Sequence, residues 1–217
     1  MRNTKDRPKD YFRFKRPEMA FFLPDEYNRV IEIGCGEGEF AGHLKPGSEV
    51  WGIEPDPKAA AVASGALKKV LVGKYDEVFS DLPEKYFDLV IANDVIEHMN
   101  SHDAFFDSIK EKMSPGGHLV ASIPNVRHWS ILRELLWKKD WRYTEAGILD
   151  RTHLRIFTGK SLKRSLREHD FIIEKFKGIN QMKFERNTWF PHFLRLITLG
   201  YYRDILFYQF GLCVRKS

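Results

Sequence analysis

The stretch Val30-Ile-Glu-Ile-Gly-Cys-Gly-Glu-Gly-Glu-Phe40 constrains this chain more than any other. Val30 to Ile33 reads as a short buried strand that breaks into a loop with glycine at alternate positions, Gly34, Gly36 and Gly38. Without a Cβ the backbone can take positive φ and let a ligand approach closely. A helix is expected over about 38–45, ending before Pro46-Gly47, with free N–H groups at its start. A βα turn of this kind is where open α/β sheets hold nucleotide-like ligands.

The glycine spacing narrows the ligand. A pyrophosphate fingerprint is G-x-G-x-x-G. Here it is G-x-G-x-G, with an acid, Glu32, two residues before the first glycine. This E-x-G-x-G-x-G pattern resembles the first motif of class I S-adenosylmethionine-dependent methyltransferases. The donor in that family carries adenosine, a sulfonium and a zwitterionic amino acid but no phosphate, so close approach matters more than an anion hole. The competing reading is a glycine-rich turn without a ligand.

Further along, apolar runs alternate with helical periodicity. Strands are expected at 29–33, 49–53, 70–72, 87–92 and 118–123, with helices at 57–68 and 101–113 and a turn at Pro115-Gly116-Gly117. Such alternation predicts a parallel sheet with helices on both faces. After Pro124 the pattern changes. A helix is expected over 125–138, then an aperiodic insertion to 158, a helix over 159–170, a strand over 171–179, a helix over 188–199 and a last strand over 206–214. Upstream, residues 1–10 are polar and expected to be disordered, and Pro17 to Leu23 a short helix. At 217 residues one domain is expected over 1–217. Within it, 1–24 form a basic extension with a capping helix, and 125–158 a substrate-side insertion.

Composition excludes several classes. No run of about 18 apolar residues occurs, so no transmembrane helix is expected, and the basic N-terminus lacks the apolar core of a secretory signal. Two isolated cysteines, Cys35 and Cys213, argue against a zinc site and for a reducing, cytoplasmic setting. No carboxylate set demands a metal, and none is expected. The net charge of +5 is uneven, with basic residues crowding positions 2–16 and 155–167. Basic surfaces attract nucleic acid, but a solvated tail and helix face explain these residues as well. No motif with interleaved aromatics is present, so no nucleic-acid partner is expected.

Several residues are placed to carry chemistry. Glu54 ends the second strand twenty positions after Gly34, where an acid can accept hydrogen bonds from ribose hydroxyls; the alternative is a helix-dipole contact. Asn93-Asp94-Val95-Ile96-Glu97-His98 follows the fourth strand, at the crevice edge of such sheets. His98 is a candidate general base, or a residue that caps a loop. Arg127, His128, Asp150, Arg151, His153 and Arg155 are too polar for a core helix, and arginine forks suit carboxylate or phosphate. An internal salt-bridge network is the alternative. Trp129, Trp137, Trp141 and Tyr143 could stack on a sugar or pack a lid.

The resemblance spans almost the whole chain. Glu97-His98 resembles the ubiquinone-type O-methyltransferases. Pro124, Asn125, His128, Trp129, Trp141, Tyr143, Gly147, Asp150, His153 and Arg155 match a pattern similar to methyltransferases associated with glycosyltransferases and surface-polysaccharide biosynthesis. Tyr11-Phe12 and Arg16-Pro17-Glu18 look like that group's N-terminal segment. The resemblance implies a Rossmann-like class I methyltransferase fold: a seven-stranded mixed α/β sheet with helices on both faces and the last strand antiparallel. It implies S-adenosylmethionine as cofactor, with S-adenosylhomocysteine as product. The implied cofactor contacts are Glu32, Gly34, Cys35, Gly36, Gly38, Glu54, Pro55, Tyr75 (through its backbone), Asp76, Asn93, Asp94 and Val95. Lys74, directly after Gly73, departs from the acid usual in the family. Catalysis is expected from His98 or His128, and acceptor binding from Tyr11, Arg16, Arg127, Trp129, His153 and Arg155. The expected acceptor is the hydroxyl of a sugar or another small molecule, anionic ones included, and the protein a monomer or homodimer. A nucleic-acid or protein methyltransferase, or a silent cofactor-binding protein, is the alternative; the absence of an N/D-P-P-Y/F motif speaks against base amino methylation.

Overall fold

The computed structural model describes residues 15–184 and 188–217. Seven strands form one sheet: β1 (Arg29–Ile33), β2 (Glu49–Glu54), β3 (Lys69–Val72), β4 (Phe87–Asn93), β5 (Met113–Pro124), β6 (Phe171–Gln181) and β7 (Phe207–Lys216). Their order is β3-β2-β1-β4-β5-β7-β6. The first five run parallel, and β7 is antiparallel to both β5 and β6. The described helices are α1 (Pro57–Ala63), α2 (Tyr75–Val78), α3 (His102–Lys112), α4 (Trp129–Arg133), α5 (Gly159–Glu168) and α6 (Trp189–Ile197).

Strand residues alternate between two apolar layers. Ile31, Ile33, Val90, Ala92, Leu119 and Ala121 pack with Phe105, Phe106 and Ile109 of α3 and Leu162 and Leu166 of α5. Val30, Leu89, Ile91, Val120 and Cys213 form the other layer with Met19, Phe22, Phe40 and Ala63. Burial on both faces is why these strands read as continuous apolar runs. Pro57 begins α1, and the Asp56 carboxylate accepts the Lys58 and Ala59 N–H groups at 3.0 Å, satisfying donors the helix leaves open.

The sheet, its antiparallel last strand and its flanking helices are as expected; several local elements differ. The helix after the glycine loop is a 3-10 turn, Glu39–His43, because Pro46-Gly47 follows at once and the chain must enter β2 at Glu49. The helix from Pro57 stops at Ala63, where the Ser64 hydroxyl donates back to the Ala60 carbonyl at 2.8 Å. Pro115 to Gly117 is no turn between elements. It lies inside β5, where Phe87 pairs with Met113 but Leu89 with His118, so the extra residues bulge and Gly116 takes φ +72°. The helix expected over 125–138 begins only at Trp129 and ends in a π-helical turn, Glu134–Lys138. Asn125 holds the chain off helical geometry by donating to the Asp204 and Phe207 carbonyls, both at 2.9 Å, and accepting the Arg127 N–H.

Parallel pairing puts the carboxyl ends of β1 to β5 on one edge. β6 runs in the same direction, so α6, between β6 and β7, stands at that edge too. Residues 125–158 fold over it. Their ends meet in a bridge between Asn125 and Phe157, and the Leu154 and Arg155 N–H groups donate to the Glu97 carbonyl at 2.8 and 3.1 Å.

Candidate active site

Gly34, Gly36 and Gly38 all adopt left-handed backbone, with φ of +72°, +54° and +83°. The Gly34 and Cys35 N–H groups donate to the Ile53 carbonyl at 2.8 and 3.1 Å, which ties the loop to the end of β2. A Cβ on Gly34 would lie 2.8 Å from Val95 Cγ2, so the loop presses against the turn after β4. The Gly36 and Asp56 N–H groups each donate to one oxygen of Glu54 at 2.9 Å. Glu54 is therefore oriented by backbone, and a carboxylate has lone pairs left to accept ribose hydroxyls. Pro55 follows it on the surface.

Beside the glycine cradle, two side chains carry buried polar atoms without partners. Glu32 is 5% exposed and its Oε2 accepts nothing. Burial, helped by nearby Glu54, pushes its carboxyl up to about 8. Both side-chain atoms of Asn93 are buried and unpaired. An unsatisfied buried group costs about 1–3 kcal/mol, and native proteins keep few. β1 and β4 are sheet neighbours, with Glu32 opposite Ile91, so the acid and the amide stand close beside the glycine cradle. An acceptor for an ammonium, an amide for a carboxylate and an open backbone cradle fit the zwitterionic end of S-adenosylmethionine.

Asp94, at φ +53°, is a junction. Its Oδ1 accepts from the Ser122 hydroxyl at 2.9 Å and from the Gln209 amide. Its Oδ2 pairs with Arg16, so Arg16, expected to meet the acceptor, has Asp94 as a partner. Gln209 in turn accepts from Asn180 at 2.7 Å. Ser122, Gln209 and Asn180 were not flagged by the sequence, since partners 115 residues apart leave no local signal.

His98 ends the 3-10 turn Ile96–His98. Its Nδ1 lies 3.2 Å from the Thr152 carbonyl and 3.1 Å from the Thr152 hydroxyl, which donates to Asp150 at 2.7 Å. A carbonyl only accepts, so Nδ1 carries the proton and Nε2 the lone pair. The His153 ring meets His98 edge-on at 4.7 Å, and its Nδ1 bonds the Ile148 carbonyl at 2.9 Å. Glu97, 1% exposed, has no hydrogen-bond partner for either oxygen, and burial pushes its carboxyl to about 8. Glu97, His98 and His153 each bring a ligand atom within 4.8 Å of the others and could hold a metal ion. No local spacing marks this set, because residue 153 arrives from the insertion.

Other expected residues take structural positions. Arg127 pairs with Asp204, the internal alternative to an anion contact. His128 is 7% exposed, caps α4 with Nδ1 near the Ser130 N–H and hydroxyl, and is pushed down to about 4 by burial. Trp129 packs with Trp137 and Phe190 in a small core. The Tyr75 ring is buried against Phe79 and Phe105, with its hydroxyl on Ser108, which leaves only its backbone towards a ligand. Asp76 is exposed in the first turn of α2, and Arg155 is exposed beyond the Glu97 carbonyl. Tyr11 lies outside the described residues.

Comparisons with known proteins point one way. Residues 6–175 match a family model described as a methyltransferase domain. The mitochondrial ubiquinone biosynthesis O-methyltransferase of Schizosaccharomyces pombe is 28% identical over 160 residues, 70% of this chain and 57% of that protein. The chain spans less than two-thirds of the length of the curated relatives it matches first. A SAM-dependent methyltransferase from Archaeoglobus fulgidus superposes with a TM-score of 0.64 at 23% identity, over 88% of this chain and 86% of that one. The 1,6-didemethyltoxoflavin-N1-methyltransferase of Burkholderia thailandensis, crystallised with 1,6-didemethyltoxoflavin and S-adenosylhomocysteine, gives 0.61 at 15% identity, over 94% and 78%.

Proposed function

The chain belongs to the methyltransferase-domain family, and on that premise we propose that it is an S-adenosylmethionine-dependent methyltransferase that methylates a hydroxyl of a small-molecule or glycan acceptor, anionic acceptors included. When bound, the cofactor supplies an electrophilic methyl on a sulfonium. Glu32 and Asn93 would take its amino-acid end. Gly34, Cys35, Gly36 and Gly38 would allow close approach along the chain. Glu54 and Pro55 would face the ribose, the Tyr75 backbone and Asp76 the adenine, and Asp94 and Val95 would shape the floor.

The observation that carries the acceptor side is the fixed tautomer of His98. With Nδ1–H directed at Thr152, Nε2 would take the proton of the acceptor hydroxyl, and the methyl's bond to the sulfonium would be the one exchanged for the new C–O bond, leaving the neutral thioether. Thr152, held by Asp150, keeps the ring in place. His128 suits this role less, because it is buried and its Nδ1 accepts the Ser130 N–H, which puts the ring proton on Nε2 and leaves no lone pair there. Residues 125–158 cover the carboxyl edge and help exclude water, and alignment supplies much of the rate. The likeness to ubiquinone biosynthesis O-methyltransferases supports an oxygen acceptor. The Pro124-to-Arg155 pattern supports a sugar hydroxyl in surface-polysaccharide assembly. Two buried, unpaired cysteines suit a cytoplasmic setting, and a monomer or homodimer would suffice.

Methyl-labelled S-adenosylmethionine and a panel of sugar, phenol and carboxylated acceptors test this. His98→Ala should lower turnover by about a hundredfold or more while calorimetry shows unchanged cofactor binding. Unchanged turnover, or transfer to nitrogen alone, overturns the reading. Activation by a divalent ion that Glu97→Gln abolishes would make His98 a ligand rather than a base.

A further inference from the structure

α6 carries a surface to which the proposed function assigns no role. One side packs Phe190 and Leu194 against Trp129, Ile205 and Leu206. The other side is also apolar: Trp189, Phe193 and Leu196 are 54%, 46% and 73% exposed. The run continues past the helix with Leu199 at 97% and Tyr201 at 79%. Trp137, 62% exposed in the π-helical turn, joins it through Phe190 at 6.1 Å, and Phe190 meets Trp189 at 5.8 Å. The result is one contiguous ridge, and contiguous exposed apolar surface marks an interaction site.

Leu199 adds a second observation. It is held at φ +49°, with the Gly200 N–H closing the turn onto the Arg195 carbonyl at 2.8 Å. Left-handed backbone costs a leucine about 1–2 kcal/mol, and here it directs an apolar side chain entirely into solvent. The rim is basic. Lys139 and Arg142 follow Trp137 in the chain, Arg195 lies in α6 and Arg203 soon after it, and all four are exposed. Of the acids there, Asp140 is exposed, Glu134 pairs with Arg133 and Lys138, and Asp204 pairs with Arg127.

We propose that this ridge docks the protein peripherally on a bilayer containing anionic phospholipid. Tryptophan and tyrosine favour the membrane–water interface, leucine and phenylalanine the acyl boundary, and lysine and arginine the anionic headgroups. No described helix is long and apolar enough to cross a membrane, so α6 lies on the surface. Side chains as exposed as Leu196, Leu199 and Tyr201 protrude; they suit a deformable medium better than a rigid protein face. α6 lies outside the 6–175 stretch that matches the family model. The ridge stands on the same sheet edge as His98. An acceptor delivered from the bilayer follows if the proposed O-methyl transfer holds; the docking surface itself does not depend on it.

Flotation of the full chain with vesicles tests the proposal without donor or acceptor. Phosphatidylcholine vesicles with phosphatidylglycerol should carry the protein up, and phosphatidylcholine alone at least about tenfold less, with added salt weakening the bound fraction. Tryptophan emission should shift to the blue on binding. Leu196→Gln/Leu199→Gln and, separately, Arg142→Glu/Arg195→Glu should each cut binding at least about tenfold with circular dichroism unchanged. Two results overturn it: no flotation with anionic vesicles, or a stable dimer in sedimentation that Leu196→Gln/Leu199→Gln splits, which would make the ridge a self-association face. Methylation assays on soluble acceptors stand or fall separately.

Discussion

Arg16 and Asp94 form an ion pair that joins the segment ahead of the first strand to the turn after the fourth. The other Asp94 oxygen accepts from Ser122 and Gln209, so one carboxylate knits the turn after β4 to β5 and β7 at the carboxyl edge of the sheet.

Removing that carboxylate strands several partners at once. Asp94→Ala leaves an arginine, a hydroxyl and an amide short of an acceptor and should destabilise the fold by about 2–4 kcal/mol, read as a lowered urea midpoint. Arg16→Ala should cost less, about 1 kcal/mol, and a double-mutant cycle should return a clear coupling between the two. Strict additivity would show that the pair does not hold in solution.

Glu32 should trade stability against cofactor binding. A carboxyl raised to about 8 keeps a proton that the unfolded chain releases, so its contribution to stability falls as pH climbs from about 4.5 towards 8. Glu32→Gln should remove that slope and raise the melting temperature near pH 8, while weakening S-adenosylmethionine at least about tenfold. Because an ammonium favours the ionised acid, wild-type binding near neutral pH should release a proton, visible by calorimetry in buffers of different ionisation enthalpy. Unaltered affinity in the variant would remove Glu32 from the site.

Gly34→Ala should fail for two separable reasons. The new Cβ would sit 2.8 Å from Val95 Cγ2 on a backbone at φ +72°. A loss of about 1–2 kcal/mol is expected, together with loss of cofactor binding. Val95→Ala in the same chain should recover the steric part only; full recovery would mean that the backbone at Gly34 is unstrained.

His169 offers a pH-dependent staple between the end of α5 and α3. Burial pulls its imidazole down, but hydrogen bonds to Asp107 and Asp103, at 2.9 and 3.0 Å, outweigh that and leave it above the usual value. A raised folded pKa means the stabilisation is complete below about 6.5 and disappears as pH rises through the folded value. Both acids are more than half exposed, at 58% and 65%, so the effect should stay below about 1 kcal/mol. The melting-temperature gap between wild type and His169→Gln should be wider near pH 5.5 than near pH 8.5; a gap independent of pH would refute the ion pairs.

What could be read in advance was local. The glycine cradle and the acid ending β2 lie within one βα turn each, and burial of both sheet faces writes the strands as apolar runs. Partners joined only by the fold stayed hidden, as with Asp94 and Gln209, or Glu97 and His153. The contacts of the polar cluster around Arg127 were hidden for a related reason. Composition shows that a segment is polar and aromatic but not which way each side chain points, and here Arg127 turns to Asp204, His128 caps α4 and Trp129 fills a core. Pro115-Gly116-Gly117 shows the same ambiguity, because residues that make turns also make bulges.

The bridge between Asn125 and Phe157 brings the two ends of the intervening stretch together on the rim of the sheet. A segment whose ends already touch can be lengthened, shortened or exchanged without redirecting the strands that flank it. Under the proposed function, the half of the site that would choose the acceptor is thus built as a replaceable cassette, clipped beside a donor half that need not change when the cassette does.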